Sequence, residues 1–200
     1  MPKSLKQNII KMARAECKKS NIDLYLGSGR SVQYSKKLRS NGYFDSENNK
    51  LAVAIGRPNW ELILLHELNH LRQWQQHCPE WKKYLTIGHS IDDALAGETI
   101  TESKLHHDIN CILQLERDCE IRAVQDLIKL NYPAKKIQQY IQKANAYCMF
   151  YLFINENRKW YRIGKEPYNL KSVWKLFPDT FDFDLDLEYQ KIKHIYHNCI

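Results

Sequence analysis

The spacing of apolar positions divides the chain into a short mixed region followed by helices. Leu5, Ile9, Met12 and Ala13 fall at helical intervals, so residues 4–20 are expected to form an amphipathic helix. Asp23-Leu24-Tyr25-Leu26 reads as a short strand, closed by Gly27-Ser28-Gly29. Residues 31–40 are polar and show no clear period. Residues 42–45 and 50–55 flank Ser46-Glu47-Asn48-Asn49, a hairpin signal. The second of these strands runs into Pro58 and then into an apolar stretch in which Leu64, Leu68 and Leu71 recur at helical spacing. Pro58 suits a first helical turn, and Asn59 is placed to cap a helix that starts slightly later.

Further along, a polar, Trp-rich stretch covers residues 74–84, and a long connection carries Gly88-His89 and Ala96-Gly97. Residues 104–130 lack Gly and Pro and read as a long helix stopped by Asn131-Tyr132-Pro133. A third helix is expected over 133–156, then an acidic alternation, then a final helix near 185–198. The order implies an α+β fold: a small N-terminal β-sheet with helices, then a mainly helical remainder.

Composition narrows the class. Two hundred residues with 44% hydrophobic content suit one compact domain, with an extension at the C-terminal side. The longest apolar run, 146–154, is far short of a membrane span, and residues 1–6 hold no signal-peptide core, so the expected location is cytoplasmic with no membrane partner. The six cysteines are scattered without a C-x-x-C pair, which suits reduced thiols rather than a disulfide frame or a thiolate metal site. The net charge of +7 is uneven: residues 1–60 carry 12 basic and 4 acidic side chains, residues 91–126 carry 3 basic and 9 acidic. A basic surface can attract nucleic acid, but the basic residues are not interleaved with an aromatic recognition motif, so ordinary solubility is the simpler account.

One segment proposes both a metal and a reaction. His66-Glu67-Leu68-Asn69-His70 reads H-E-x-x-H within the apolar helical run. On a helix, His66 and His70 lie on one face, one turn apart, where two imidazoles can hold one zinc ion while Glu67 acts as general base on a water. Shuffled chains of this composition would contain the motif in roughly 2% of cases, so context has to support it. The alternative is an exposed helix with two solvated histidines, which the apolar stripe opposes.

A catalytic zinc usually takes three protein ligands. Downstream candidates are His77, His89, Glu98, Glu102, His106, His107, Glu116 and Glu120. In the helix over 104–130 the apolar positions Ile109, Ile112, Leu113, Ala123, Val124, Leu127 and Ile128 form a stripe that also contains Glu116 and Glu120. Carboxylates on a core face are costly unless a cation or hydrogen-bond donors offset them. A zinc ion and its histidines would do so, with Glu116 as ligand and Glu120 accepting the remaining N–H of His66 or His70. Two alternatives stay open: both glutamates at the stripe's edge paired with Arg117 or Arg122, or His107 as third ligand. The residues after His70 exclude the metzincin extension, because Gln73 and Gln76 stand where Gly and His are needed.

His66-Glu67-Leu68-Asn69-His70, followed by the glutamate-bearing Leu115-Glu116-Arg117-Asp118-Cys119-Glu120-Ile121-Arg122-Ala123, resembles the minigluzincins, small zinc metallopeptidases that include the HtpX-type and ImmA/IrrE-type proteins. Their second helix reads E-x-x-A-D or E-R-E-A-N. Here Cys119 stands where the family has Ala, and Glu120 where it has Asp or Asn. The resemblance covers residues 4–130 and implies a metallopeptidase domain over 1–157, with 158–200 as a helical C-terminal extension packing on it. It further implies Zn2+ on His66, His70 and Glu116, Glu120 in support, and a sheet-edge strand, Leu51-Ala52-Val53-Ala54-Ile55, that pairs with an extended protein or peptide substrate. Such small chains are also at home in phage genomes. An oxyanion donor is normally a Tyr or His; Tyr147 and Tyr151, one turn apart, are the candidates, with Tyr151 preferred and Tyr161 next. The competing expectation is a non-catalytic zinc module contacting nucleic acid or a macromolecular assembly through basic surfaces.

Overall fold

The computed structural model describes residues 3–36 and 38–200, and side chains from residue 5 onward except Lys37. Packing divides the chain into two compact units, residues 1–78 and 79–200.

In the first unit, helix α1 (Lys3–Lys19) buries Leu5, Ile9 and Ala13, as its spacing requires. Strand β1 (Asp23–Gly27) follows. A two-stranded antiparallel ribbon, β2 (Val32–Gln33) with β3 (Arg39–Ser40), occupies the stretch with no clear sequence period. Strands β4 (Gly42–Asp45) and β5 (Lys50–Ala54) form the expected hairpin. Its turn is held by Asp45, whose carboxylate accepts from the amides of Glu47 (3.0 Å) and Asn48 (2.9 Å) and from Asn48 Nδ2 (2.8 Å). The three-stranded sheet has the order β1-β5-β4 and is mixed: β5 runs parallel to β1 and antiparallel to β4.

This order corrects the expectation that 51–55 is an edge strand. Gly27 pairs with Ala54 on one side and Gly42 with Val53 on the other, so β5 is the middle strand and its backbone is committed to both neighbours. The burial explains why. Leu51, Ala52, Val53 and Ala54 are all fully buried, the continuous apolar run of a central strand. Ala52 and Ala54 pack with Val32 of the ribbon and with Tyr43; Leu51 and Val53, by the period of two, face the opposite side of the sheet.

Helix α2 (Trp60–Gln76) packs against β4, β5 and α1. Asn59 precedes it in a left-handed conformation (φ 59°) and makes no side-chain cap, because capping needs extended backbone at that position. The helix ends at His77 (φ 46°), whose amide returns to the carbonyls of Gln73 and Trp74.

In the second unit, α3 (Pro79–Tyr84) and α4 (Ser90–Leu95) pack on the long helix α5 (Glu102–Lys129), which Thr101 caps through Lys104 N–H. The apolar run 146–154 does not continue a single helix. Helix α6 (Ala134–Cys148) stops at Met149 and α7 (Phe150–Asn157) restarts beyond it, with Leu152 N–H bonding to Met149 O, a tightened turn. A run that is apolar all round specifies no single buried stripe; Phe150 and Phe153, three residues apart on α7, both lie in the core. The C-terminal segment contributes α8 (Lys171–Trp174), α9 (Leu185–Ile192) and a 3-10 turn (Lys193–Asn198). Val173, Phe177, Tyr189 and Tyr196 join that same core, and Tyr196 donates to Ala146 O at 2.9 Å. Among the described residues no helix is long and apolar enough to cross a membrane.

Candidate metal centre

Helix α2 carries the motif, and three features fix it in place. Leu64, Leu65, Leu68 and Leu71 are fully buried and anchor one face. On the side toward α1, Arg72 Nε reaches Glu16 at 2.7 Å, Arg72 Nη1 reaches Asn69 Oδ1 at 3.1 Å, and Asn69 Nδ2 donates to Leu65 O at 2.9 Å. Asn69, the fourth residue of the motif, is therefore a buried joint between the two helices. Near the helix start, Glu61 is buried with Lys6 Nζ at 3.5 Å.

On the remaining face the imidazoles converge. His66 Nε2 and His70 Nε2 are 3.1 Å apart, and the rings meet edge to face with centroids 4.6 Å apart. Two nitrogens bound at zinc distance around a tetrahedral ion would be about 3.3 Å apart. The donor pair thus fits a tetrahedral ion without rearranging the helix. Gln73 Oε1 lies 2.8 Å from His70 Nδ1, the ring nitrogen that points away from His66.

Glu67, between the histidines in sequence, is buried. Its Cγ sits beside the backbone of β4: a Cβ placed on Gly42 would lie 3.2 Å from it. The sheet edge next to the motif is thus β4 rather than β5.

The carboxylates expected on α5 lie in the second unit. Glu120 is buried and accepts the Tyr140 hydroxyl. Burial, with Glu120 next in weight, pushes the Tyr140 phenol well above its ordinary range. Glu116 is half-buried, and its charge adds to burial in raising the Tyr147 phenol. Tyr147 and Tyr151 hydroxyls are 3.0 Å apart, and the Tyr151 ring stands edge-on to Trp160. Glu116, Tyr147 and Tyr151 thus form one polar group along α5, α6 and α7. Of the two histidines offered to Glu120, His70 has its second nitrogen held by Gln73 instead. The other downstream candidates, His77, His89, Glu98, Glu102, His106 and His107, are exposed, and His106 bonds to Asn110 at 2.9 Å. Ile128, placed on the α5 stripe by its spacing, is exposed.

Two site residues escape the motif reading. Gln73 follows His70 by three positions, a spacing that puts it on the same helical face, so its role was available to a helix-face argument. Gly42 gave no such signal, because its contact with α2 depends on the order of the strands.

No family model matches the chain, and no curated protein or solved structure matches it.

Proposed function

We propose that this protein is a zinc-dependent metallopeptidase of the minigluzincin kind, hydrolysing peptide bonds of a protein substrate. The observation that supports this most directly is the 3.1 Å convergence of His66 Nε2 and His70 Nε2 on a helix that also buries Glu67. A purely structural metal site has no use for that carboxylate. In this reading His66 and His70 are ligands through Nε2, Glu116 is the third, and Glu120 supports His66. Zinc supplies Lewis acidity toward the scissile carbonyl and lowers the pKa of water toward neutrality. Glu67 accepts a proton from the attacking water and passes it to the leaving amine as the C–N bond breaks. Tyr151 donates its hydroxyl to the developing oxyanion, a contribution of about 3 kcal/mol where such donors operate. An extended substrate would lie along β4, the sheet edge beside Glu67.

The test is metal content and cleavage of an unfolded protein by the same preparations. About one zinc per chain, lost in His66→Ala and Glu116→Ala and kept in Glu67→Gln, supports the ligand set; zinc kept in Glu116→Ala removes that residue from it. Cleavage abolished by Glu67→Gln supports the enzyme. Zinc binding with no cleavage, together with salt-dependent DNA binding indifferent to Glu67→Gln, would replace it with a binding module.

A further inference from the structure

We propose that Gln73 is a positioning residue for the metal: through its side-chain oxygen it holds His70 in the one tautomer that can present Nε2 to an ion. This rests on the metallopeptidase reading above.

The argument begins with hydrogen-bond chemistry. A neutral imidazole carries one N–H and one lone pair, and its partners decide which nitrogen has which. Gln73 Oε1 is 2.8 Å from His70 Nδ1. A carbonyl oxygen only accepts, so Nδ1 carries the hydrogen and Nε2 keeps its lone pair. That lone pair faces His66 Nε2. The reverse tautomer would put a hydrogen on His70 Nε2, close the metal face, and set a lone pair against the Gln73 oxygen.

Gln73 is itself held from two directions. Its side chain is fully buried, and its backbone carbonyl closes the end of α2, accepting from His77 N–H and from Cys78 N–H at 3.2 Å. The helix terminus and the histidine orientation are thus fastened at one residue. Metal-bound histidines commonly donate their second N–H to a carboxylate, a backbone carbonyl or water. A glutamine in that place orients the ring as firmly but adds no charge, so it leaves the ligand less basic than a carboxylate would.

The experiment uses the full chain as wild type, Gln73→Leu, Gln73→Met and Gln73→Glu. Two readouts are taken: histidine side-chain 15N spectra of the metal-free proteins, and zinc affinity by competition with a chelating dye. Wild type is expected to show His70 protonated at Nδ1. Gln73→Leu is expected to mix the tautomers and weaken zinc binding about 10- to 100-fold. Gln73→Met, which keeps the chain length without the acceptor, should behave the same way and serves if the leucine variant does not fold. Gln73→Glu, an acceptor of equal reach, should restore both readouts. A folded Gln73→Leu or Gln73→Met protein with wild-type tautomer and affinity overturns the proposal while leaving the metal site standing. A wild-type protein that binds no zinc overturns the metallopeptidase reading and this role together.

Discussion

Gly42 and Glu67 meet where there is no room for another side chain. A Cβ on Gly42 would lie 2.7 Å from Ile63 Cγ2 and 3.2 Å from Glu67 Cγ. Strand β4 can approach α2 this closely only because position 42 has none. Gly42→Ala is therefore expected to force β4 and α2 apart at the motif. Overpacking of this kind costs about 1–3 kcal/mol. Because Glu67 is one of the displaced neighbours, the proposed peptidase activity should fall by more than the loss of folded protein explains. Thermal unfolding and specific activity, measured on the same samples, check both parts; an alanine variant with unchanged melting temperature contradicts the contact.

Arg72 joins two groups, one half-buried and one buried. Its guanidinium bridges Glu16 of α1 to Asn69 of the motif, using separate nitrogens for each. A fork of this kind is specific to arginine, since a lysine ammonium is a single point donor. Arg72→Ala is expected to destabilise the first unit by about 2–4 kcal/mol, because it leaves the Glu16 carboxylate and the buried Asn69 amide short of a donor. Arg72→Lys should recover less than half of that. Urea unfolding midpoints at constant slope would report it; full recovery by lysine would show that charge alone matters.

How much of this was legible in the chain follows from which interactions are local. Helices α1, α2 and α5 announce themselves because each buries one face with its own period, and strand β1 and the β4–β5 hairpin through the turn residues that bound them. The motif and its apolar stripe lie in one helix, so His66, Glu67 and His70 were readable together. The lateral order of the strands was not: β1 and β5 pair across 22 intervening residues, and nothing local says that a hairpin strand will also gain a parallel neighbour. The β2–β3 ribbon is short and mostly polar, and only Val32 within it is buried, through contact with Ala52 and Ala54. The stop at Met149 carries neither Gly nor Pro to mark it. At Asn59, residue type suggested a cap that the left-handed backbone does not make.

A buried acid of the second unit, Asp108, sets an acid limit on stability. Asp108 is 1% exposed and is held by Lys104 Nζ at 2.7 Å and by the Ser90 hydroxyl. Burial alone would raise its carboxyl, but the hydrogen bonds from Lys104 and Ser90 and the nearby positive charge outweigh it and lower the pKa below the ordinary 3.8. The folded pKa lies below the unfolded one, so the stabilisation is fully present above about pH 4 and is lost as pH falls through the folded value. Asp108→Asn is expected to cost about 1–2 kcal/mol at pH 7. It should also flatten the fall in melting temperature below about pH 4. An unaltered acid slope in the variant would assign that slope to other carboxylates.

The six cysteines are buried thiols, and their chemistry follows from that. Burial, reinforced by the negative charges of Glu16 and Asp23, pushes the Cys17 thiol up to about 11. Burial does the same at Cys199, also to about 11, against a partial opposing effect of Lys165. Cys111 is raised as well, by burial first and Asp108 next. The thiolate is the reactive form, and an unperturbed thiol near 8.5 is about 10% ionised at pH 7.5, whereas one near 11 is ionised to less than about 0.1%. Low access and low ionisation therefore act together. The native protein at pH 7.5 is expected to show no fast-reacting thiol at Cys17, Cys111 or Cys199 toward a chromogenic disulfide reagent, and all six should react after denaturation. At pH 9 Cys17 and Cys199 should still be only about 1% ionised, against about three-quarters for a free thiol, so native labelling at these two sites should stay slow even there. Peptide mapping of the labelled sites decides the matter: rapid native modification of Cys17 or Cys199 would mean that α1 or the C-terminal turn opens far more readily than its packing implies.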